Sequence, residues 1–295
     1  MPVFEDGTSF ARLCVALASV QLSRDIRVLA VDDGSISDPP QLSSYKDAGL
    51  SGIILRLNRN VGHQAAIATG IAYLAKIGMT TDLIIMDSDG EDNPSAIAAL
   101  TKRLSEGYHV AVATRAKRLE SVWFRFFYTI YKLLFRALTG HALRFGNFMA
   151  LSPMALSRLA AMHETRMHLA GSIIASRLNV IDVAVNRENR YFGRSKMNFT
   201  SLVLHGMRSV MVFGETVLTR IALACLTVVI ICIVLASIAT ALKVAGHATP
   251  GWFTTVIGFS IMIMIQTAVL TVVVLVMTGL NRGTSEGEYK IEEIG

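Results

Sequence analysis

Residues 84–94 read IIMDSDGEDNP, an apolar run that passes directly into four carboxylates, Asp87, Asp89, Glu91 and Asp92, before Pro94 turns the chain. Like charges this close repel one another unless a cation or a positively charged ligand sits among them. Hard oxygen ligands suit Mg²⁺ or Mn²⁺, ions that commonly join a few carboxylates to a diphosphate. The first chemistry to consider is therefore a metal platform for a nucleotide-linked substrate, with Asp87 and Asp89 as its core.

Other readings compete for the same stretch. Asp92 or Asn93, just before Pro94, suits the cap of a following helix. A calcium loop needs Gly at its sixth position and Glu at its twelfth; counted from Asp87, Gly90 is fourth and Ala98 is twelfth, which excludes it. A phosphatase of the haloacid dehalogenase type also ends a strand in Asp-x-Asp-Gly, with Asp87 as nucleophile and Asp89 as acid. That motif prefers Thr where this chain has Glu91, and it opens its fold, whereas about three elements precede it here.

The elements that carry these residues alternate. DIRVLAV (25–31), GIILRL (52–57), DLIIM (82–86) and YHVAVATR (108–115) read as strands. HQAAIATGIAYLAKIG and PSAIAALTKRLSEG between them read as helices. Strands alternating with helices predict a mostly parallel sheet flanked by helices, with ligands at the carboxyl ends of the strands. Those ends carry Asp32 and Asp33, Asn58 and Asn60, Asp87 and Asp89, and Arg115. No GxGxxG follows the first strand and no GxxxxGK[ST] occurs, so neither a dinucleotide fingerprint nor a phosphate-cradling loop is indicated.

Composition sets the second theme. Of 295 residues, 52% are hydrophobic and 17% charged, which is too apolar for an ordinary soluble domain. Ile221–Leu242 and Trp252–Leu280 carry no charged residue, and each exceeds the ~20 residues that cross a bilayer. They predict a transmembrane hairpin rather than two buried core helices. Arg187, Arg190, Arg194, Lys196, Arg208 and Arg220 precede the first span, and Lys243 alone lies between the two. The basic-side rule then places both the N-terminal part and the tail NRGTSEGEYKIEEIG in the cytoplasm. No signal peptide is evident. The net charge of +6 fits contact with anionic lipid, and no nucleic-acid motif is present. Cys14, Cys225 and Cys232 lack metal-ligand spacing and read as small apolar residues.

Several stretches together resemble glycosyltransferase family 2, in the branch that moves a sugar onto a polyprenyl phosphate. They are PVFED (2–6), VDDGSISD (31–38), NRNVGHQAAIATG (58–70), DSDGEDNP (87–94), VATR (112–115), FGNFMALSP (145–153) and RYFGRSKMNF (190–199). The resemblance implies a GT-A-like, Rossmann-type fold and a metal-dependent enzyme that moves a hexose, its partners being a UDP- or GDP-linked sugar, a polyprenyl phosphate and the membrane. A homo-oligomer stays an open alternative. It implies that Pro2, Phe4, Asp6, Asp33, Asn60, Gly62, His63, Asp87 and Ser88 bind the donor. It implies that Asp87, Asp89 and Glu91 hold Mg²⁺ or Mn²⁺, Glu91 standing where relatives often have Gln. Asp89, Arg115, Arg194 and Lys196 would serve catalysis, with Arg194 and Lys196 on a loop that closes over the substrates.

Two departures from the pattern give further expectations. Relatives have a full strand before PVYNE, so most of the first strand is expected to be missing here. Asn147 stands where many relatives have Asp, and an amide cannot act as a base at neutral pH.

SVWFRFFYTIYKLLFRALTG (121–140) is amphipathic at helical spacing. Arg125, Thr129, Lys132 and Arg136 share one face, opposite Trp123, Phe127, Ile130 and Leu134. It reads as a helix in the membrane interface, or else as a surface helix on the sheet. Arg125 and Thr129, one turn apart, together with Arg115 are expected to hold the acceptor phosphate. The expected organisation is a glycosyltransferase domain over 1–196, a juxtamembrane helix over 197–215, spans at about 217–242 and 252–280 within 216–281, and a tail over 282–295. A phosphate oxygen is already anionic at pH 7 and needs no base, so a single in-line displacement with inversion is the expected reaction. A processive synthase is disfavoured because no Gln-x-x-Arg-Trp occurs. A catalytically inactive, membrane-anchored binding protein stays open, as does the phosphatase.

Overall fold

The computed structural model describes residues 1–20, 25–115, 122–142, 146–186, 188–192, 199–247, 249–280 and 289–294. The chain divides into two compact units. One comprises Met1–Leu133, His141–Val212 and Glu286–Gly295; the other comprises Leu134–Gly140 and Phe213–Ser285.

In the first unit the order is β1 (Pro2–Val3), α1 (Gly7–Ala18), β2 (Arg27–Asp32), α2 (Ser43–Ala48), β3 (Ser51–Leu57), α3 (His63–Lys76), β4 (Leu83–Ile85), a 3₁₀ turn (Pro94–Ala96), α4 (Ile97–Ser105) and β5 (Val110–Arg115). Then come α5 (Val122–Thr139), which crosses the division between the units, β6 (Met149–Leu151), α6 (Pro153–Ala160), α7 (Leu169–Ala175), β7 (Val180–Val185) and α8 (Phe199–Met211). The strands expected at 25–31, 52–57, 82–86 and 108–115 all form, shifted by a residue or two at their ends.

They form two four-stranded sheets, in the orders β1-β2-β3-β8 and β4-β6-β5-β7, rather than one. Within each sheet three strands run the same way and one opposes them: β8 (Tyr289–Ile294) is antiparallel to β3, and β6 is antiparallel to β4 and β5. The mostly parallel sheet flanked by helices is therefore present in two parts. The separation falls beside β1, which meets β2 only at Pro2↔Val31 and Val3↔Asp32. A cavity of about 920 Å³ runs between β2 and β4, lined by Arg27, Val28, Leu29, Leu83, Ile84 and Ile85 among others. None of the acidic-turn residues Asp87–Asp92 lines it, so it is not where the chemistry sits.

Alternation along the strands puts the two sheets into two shared cores. Val31, Leu55, Val110, Val112, Met149 and Leu151 pack against Ile67, Ile71, Leu156, Leu159, Leu169 and Ile173 of α3, α6 and α7. Val28, Ala30, Ile54, Ala111 and Ala150, from the opposite faces, pack against Phe10, Leu13, Tyr45, Ile97 and Leu100 of α1, α2 and α4. Helix α3 begins after Gly62 at φ +94, a conformation that favours glycine. α6 begins with the Ser152 hydroxyl accepting from Ala155 N–H and Pro153 in its first turn.

α5 and α8 touch within the first unit through Tyr131 Oη and Ser209 Oγ, 2.6 Å apart. Gly206 permits this approach, since a Cβ there would lie 2.9 Å from the Tyr131 ring. Both helices leave apolar side chains exposed: Ile130 and Leu133 on α5; Val203, Leu204, Met207 and Met211 on α8. Thr129, Lys132 and Arg136 of the expected polar face of α5 are exposed as well.

The second unit contains α9 (Gly214–Val244, 31 residues) and α10 (Trp252–Leu280, 29 residues). Both are long and apolar enough to cross a membrane, and few residues of their described apolar stretches are buried. Phe135 meets Phe213 edge to face with centroids 5.9 Å apart. Arg220 donates to the Ala137 carbonyl at 2.6 Å, a cation on the last turn of α5. Lys243 lies 4.0 Å above the Phe253 ring, joining the two long helices near their connection.

A buried histidine pair joins α7 to α8. His168 caps α7, its Nδ1 accepting from Gly171 N–H, so its Nε2–H donates to His205 Nε2 at 3.1 Å. Burial, reinforced by the neighbouring His205, pushes His168 down to about 3, and burial lowers His205 too. The unfolded chain therefore binds more protons than the folded one between pH 6.5 and about 3. The stability held in this pair is complete above that window and is lost as pH falls through it. Amide exchange in α8, corrected for the intrinsic rate, should accelerate on acidification from pH 7 to 5 and should do so less in His205→Phe.

Candidate active site

The acidic turn follows β4 directly. Its shape is fixed by its own side chains: Asp92 accepts from Asp87 N–H at 2.9 Å and Asp89 Oδ1 accepts from Glu91 N–H at 2.9 Å. Gly90 has φ +84, and a Cβ on it would lie 2.4 Å from the Tyr191 ring, so the turn needs glycine twice over. Asn93 takes the capping role, accepting from Ser95 N–H at 2.8 Å, while Asp92 instead points back into the turn.

Beside it stands the loop between β3 and α3. Asp33, at the end of β2 and almost fully buried, accepts from Val61 N–H at 2.7 Å and Gly62 N–H at 2.9 Å. Burial pushes its carboxyl up, and those two donors only partly oppose the shift. Asp33 thereby holds the loop that carries Asn60, Gly62 and His63. Asp32 accepts from Ser35 N–H and pairs with Arg56 at 2.9 Å. Glu5, in a left-handed conformation at φ 47, accepts three backbone donors from Ile36, Ser37 and Asp38 at 2.7–2.8 Å. These bonds tie the loop after β2 to the PVFED segment, where Pro2 is buried in the sheet and Phe4 is exposed. Asp6 stands at the N-cap position of α1.

A chain of amides fixes the state of His63. Leu169 N–H can only donate, so Gln64 Oε1 accepts there at 2.7 Å. Gln64 Nε2 then donates to Asn147 Oδ1 at 3.1 Å, which turns Asn147 Nδ2 toward His63 Nε2 at 2.9 Å. His63 Nε2 is thus an acceptor, and the ring proton sits on Nδ1. His63 Nε2 is also 3.3 Å from Asp87 Oδ1, a distance that by itself suggests an ion pair. With no proton on that nitrogen the contact supplies none, and Asp87 Oδ1 is buried without a hydrogen-bond donor among the described residues. A buried carboxylate oxygen in that condition is costly unless something positive meets it. Asn147, suspected as a lost base, works as an orienting amide.

The remaining carboxylates meet Arg190, which follows β7. Its Nη2 donates to Asp89 Oδ2 at 2.6 Å and its Nε to Glu91 Oε1 at 3.4 Å. Among the described residues no three acidic, histidine or cysteine side chains form a ready-made metal cage. The donor set that exists, the unsatisfied Asp87 oxygen with Asp89 and Glu91 beside it, suits a hard divalent ion that completes its shell from substrate phosphates and water. Ser88 is buried within the same turn. Arg115 closes β5 and Arg125 lies in α5; the structure describes only their backbone. Thr129 is exposed on α5, and Arg194 and Lys196 lie outside the described residues.

Comparison with known proteins identifies the family. Residues 1–166 match the family described as "Glycosyl transferase family 2", which is more than half of the chain, and the chain belongs to that family. It is also similar to the undecaprenyl-phosphate 4-deoxy-4-formamido-L-arabinose transferase of Salmonella choleraesuis (strain SC-B67), 29% identical over 212 residues. That match covers 69% of this chain and 63% of the relative, so the chain spans less than two thirds of the relative's length. The Asp-x-Asp-Gly turn falls inside the family match, which leaves the phosphatase reading without support.

Sequence reasoning assigned four residues of the candidate site no role there: Glu5, Gln64 and Arg190, which appear only within quoted stretches or as a basic charge, and Asn147, whose orienting part was missed. Asn147→Asp replaces a donor by an acceptor next to His63. It should move the ring proton from Nδ1 to Nε2, read from the ¹⁵N shifts of the His63 ring, whereas Gln64→Ala should leave the ring exchanging between tautomers.

Proposed function

We propose that the protein transfers a sugar from a nucleotide diphosphate to a polyprenyl phosphate at the cytoplasmic face of a membrane, with inversion at the anomeric carbon. The observation that carries the reading is the buried Asp87 Oδ1, without a hydrogen-bond donor among the described residues, inside an acidic turn at the carboxyl end of a strand. Asp87, Asp89 and Glu91 would hold Mg²⁺ or Mn²⁺, which when bound neutralises charge building on the departing diphosphate. The chain's own part is positioning. Asp33 holds the loop bearing Asn60, Gly62 and His63 near the donor, and the PVFED segment with Pro2, Phe4 and Asp6 lies next to Asp33, whose N–H donates to the Val3 carbonyl.

The acceptor's phosphate oxygen is anionic and attacks without a base, which fits an amide rather than a carboxylate at Asn147. Arg115, Arg125 and Thr129 are the proposed acceptor contacts, and Arg194 and Lys196 the proposed closing groups. The sugar stays open between a hexose and an arabinose derivative such as the one in the relative's name.

The membrane setting rests on α9 and α10 and on the exposed apolar residues of α5 and α8. The register of β8 with β3, from Gly52↔Ile294 to Leu57↔Tyr289, returns the tail to the N-terminal unit. That pairing supports an even number of crossings between them, as in the proposed two-helix hairpin. The basic residues before α9 favour the cytoplasmic side for both.

The full chain in detergent, given labelled UDP- and GDP-sugars, Mn²⁺ and polyprenyl phosphate, should form a glycolipid that a chelator abolishes. Asp89→Asn should lower the rate about a hundredfold or more. Product that survives both chelation and Asp89→Asn would remove the metal from the mechanism. Absence of product with every donor would favour a binding protein over a transferase.

A further inference from the structure

The segment Glu188–Phe192 lies across the acidic turn and is tied to it at several points. Glu188 N–H donates to the Glu91 carbonyl at 3.0 Å and Tyr191 N–H to the Asp89 carbonyl at 2.9 Å. Asn93 Nδ2 donates to Glu188 Oε1 at 2.9 Å. The Tyr191 ring covers Gly90, and the Arg12 guanidinium stands 4.7 Å from the centre of that ring and 5.7 Å from that of Phe192. At the middle of this strap, Arg190 places one guanidinium on both Asp89 and Glu91.

A guanidinium and a divalent cation cannot both sit comfortably on Asp89 Oδ2. The arginine already holds that oxygen at 2.6 Å, and an ion at the ~2.1 Å of a magnesium–oxygen bond would face an unscreened positive charge only a few ångströms off. We infer that Arg190 is an internal counter-cation of the acidic turn: it occupies two of the three ion-binding carboxylates until a divalent ion displaces it. The inference rests on the metal reading given above.

It has a thermodynamic consequence. An ion alone must work against Arg190, so its affinity is low. A diphosphate arriving with the ion offers the released guanidinium an anionic partner. Ion and donor therefore bind more tightly together than either does alone, and the coupling is reciprocal. Arg190 is a positioning residue in this account: it acts on the reaction through Asp89 and Glu91.

The probe is Mn²⁺ itself, titrated into the full chain in detergent and followed by the loss of the free-ion electron paramagnetic resonance signal. Arg190→Gln should tighten Mn²⁺ binding about tenfold, within the usual range of coupling between two competing ligands. Arg190→Lys, which keeps a positive charge, should stay near the wild type. A site merely damaged by the substitution would bind more weakly, so the direction of change discriminates. Equal or weaker binding by Arg190→Gln overturns the inference and leaves the metal reading intact. Binding by neither protein defeats the metal reading, and the inference with it.

The wild-type chain gives a second measurement that needs no variant. Mn²⁺ should increase modification of Arg190 by phenylglyoxal, read by mass spectrometry of the peptide that carries it. Unchanged or reduced labelling in the presence of bound Mn²⁺ overturns the inference.

Discussion

Four carboxylates within six residues at the end of β4 are the constraint around which the N-terminal unit is arranged. Their mutual repulsion is met in different ways. Asp92 and Asp89 Oδ1 are absorbed by backbone N–H groups of the turn itself. Asp89 Oδ2 and Glu91 are met by Arg190. Asp87 Oδ1 faces His63 Nε2, which a line of amides anchored at Leu169 N–H keeps as an acceptor. That nitrogen therefore offers the oxygen no hydrogen, and Asp87 Oδ1 has no hydrogen-bond donor among the described residues. The divalent ion proposed for this site would meet that oxygen.

Much of the scaffold was legible because it is local and periodic. The strands at 25–31 and 52–57 are near-continuous apolar runs, the pattern of strands covered on both faces, and both form. The long apolar runs of α9 and α10 could be read from length alone. What escaped is short or distant. β6 has three residues, too few for any period, yet it sits between β4 and β5 and changes the parallel order. β8 lies in YKIEEI, which reads as a solvated tail because half of its residues are charged. Edge pairing with β3 makes no demand on hydrophobicity, so the sequence carried no sign of it.

The site divides along the same line. The acidic turn announced itself as a local cluster, and so did the loop after β3. Its partners did not. Gln64 and Asn147 are 83 residues apart, and Arg190 is 101 residues from Asp89. An isolated glutamine, asparagine or arginine is more often a solvated surface group than a member of a site. Asn147 drew notice only for what it could not do. Its actual contribution, a donor aimed by one backbone N–H through two side chains, depends on a geometry that no spacing encodes.

These partners also differ in how firmly they are held. The amide line starts at the N-terminus of α7, where Leu169 is wholly buried and Gln64 nearly so; moving His63 would mean disturbing a core. Arg190 belongs to a strap after an edge strand, and a quarter of its side chain is exposed. Displacing it breaks its two ion-pair contacts, to Asp89 and Glu91, without opening a core, a smaller perturbation. The acidic turn therefore has a fixed wall and a movable one. The fixed wall sets where the unmatched oxygen points, and the movable wall sets how readily a cation reaches it. On the proposed metal reading both walls are needed, because geometry alone would give a site that binds the ion before the donor, and mobility alone would give one that never aims it.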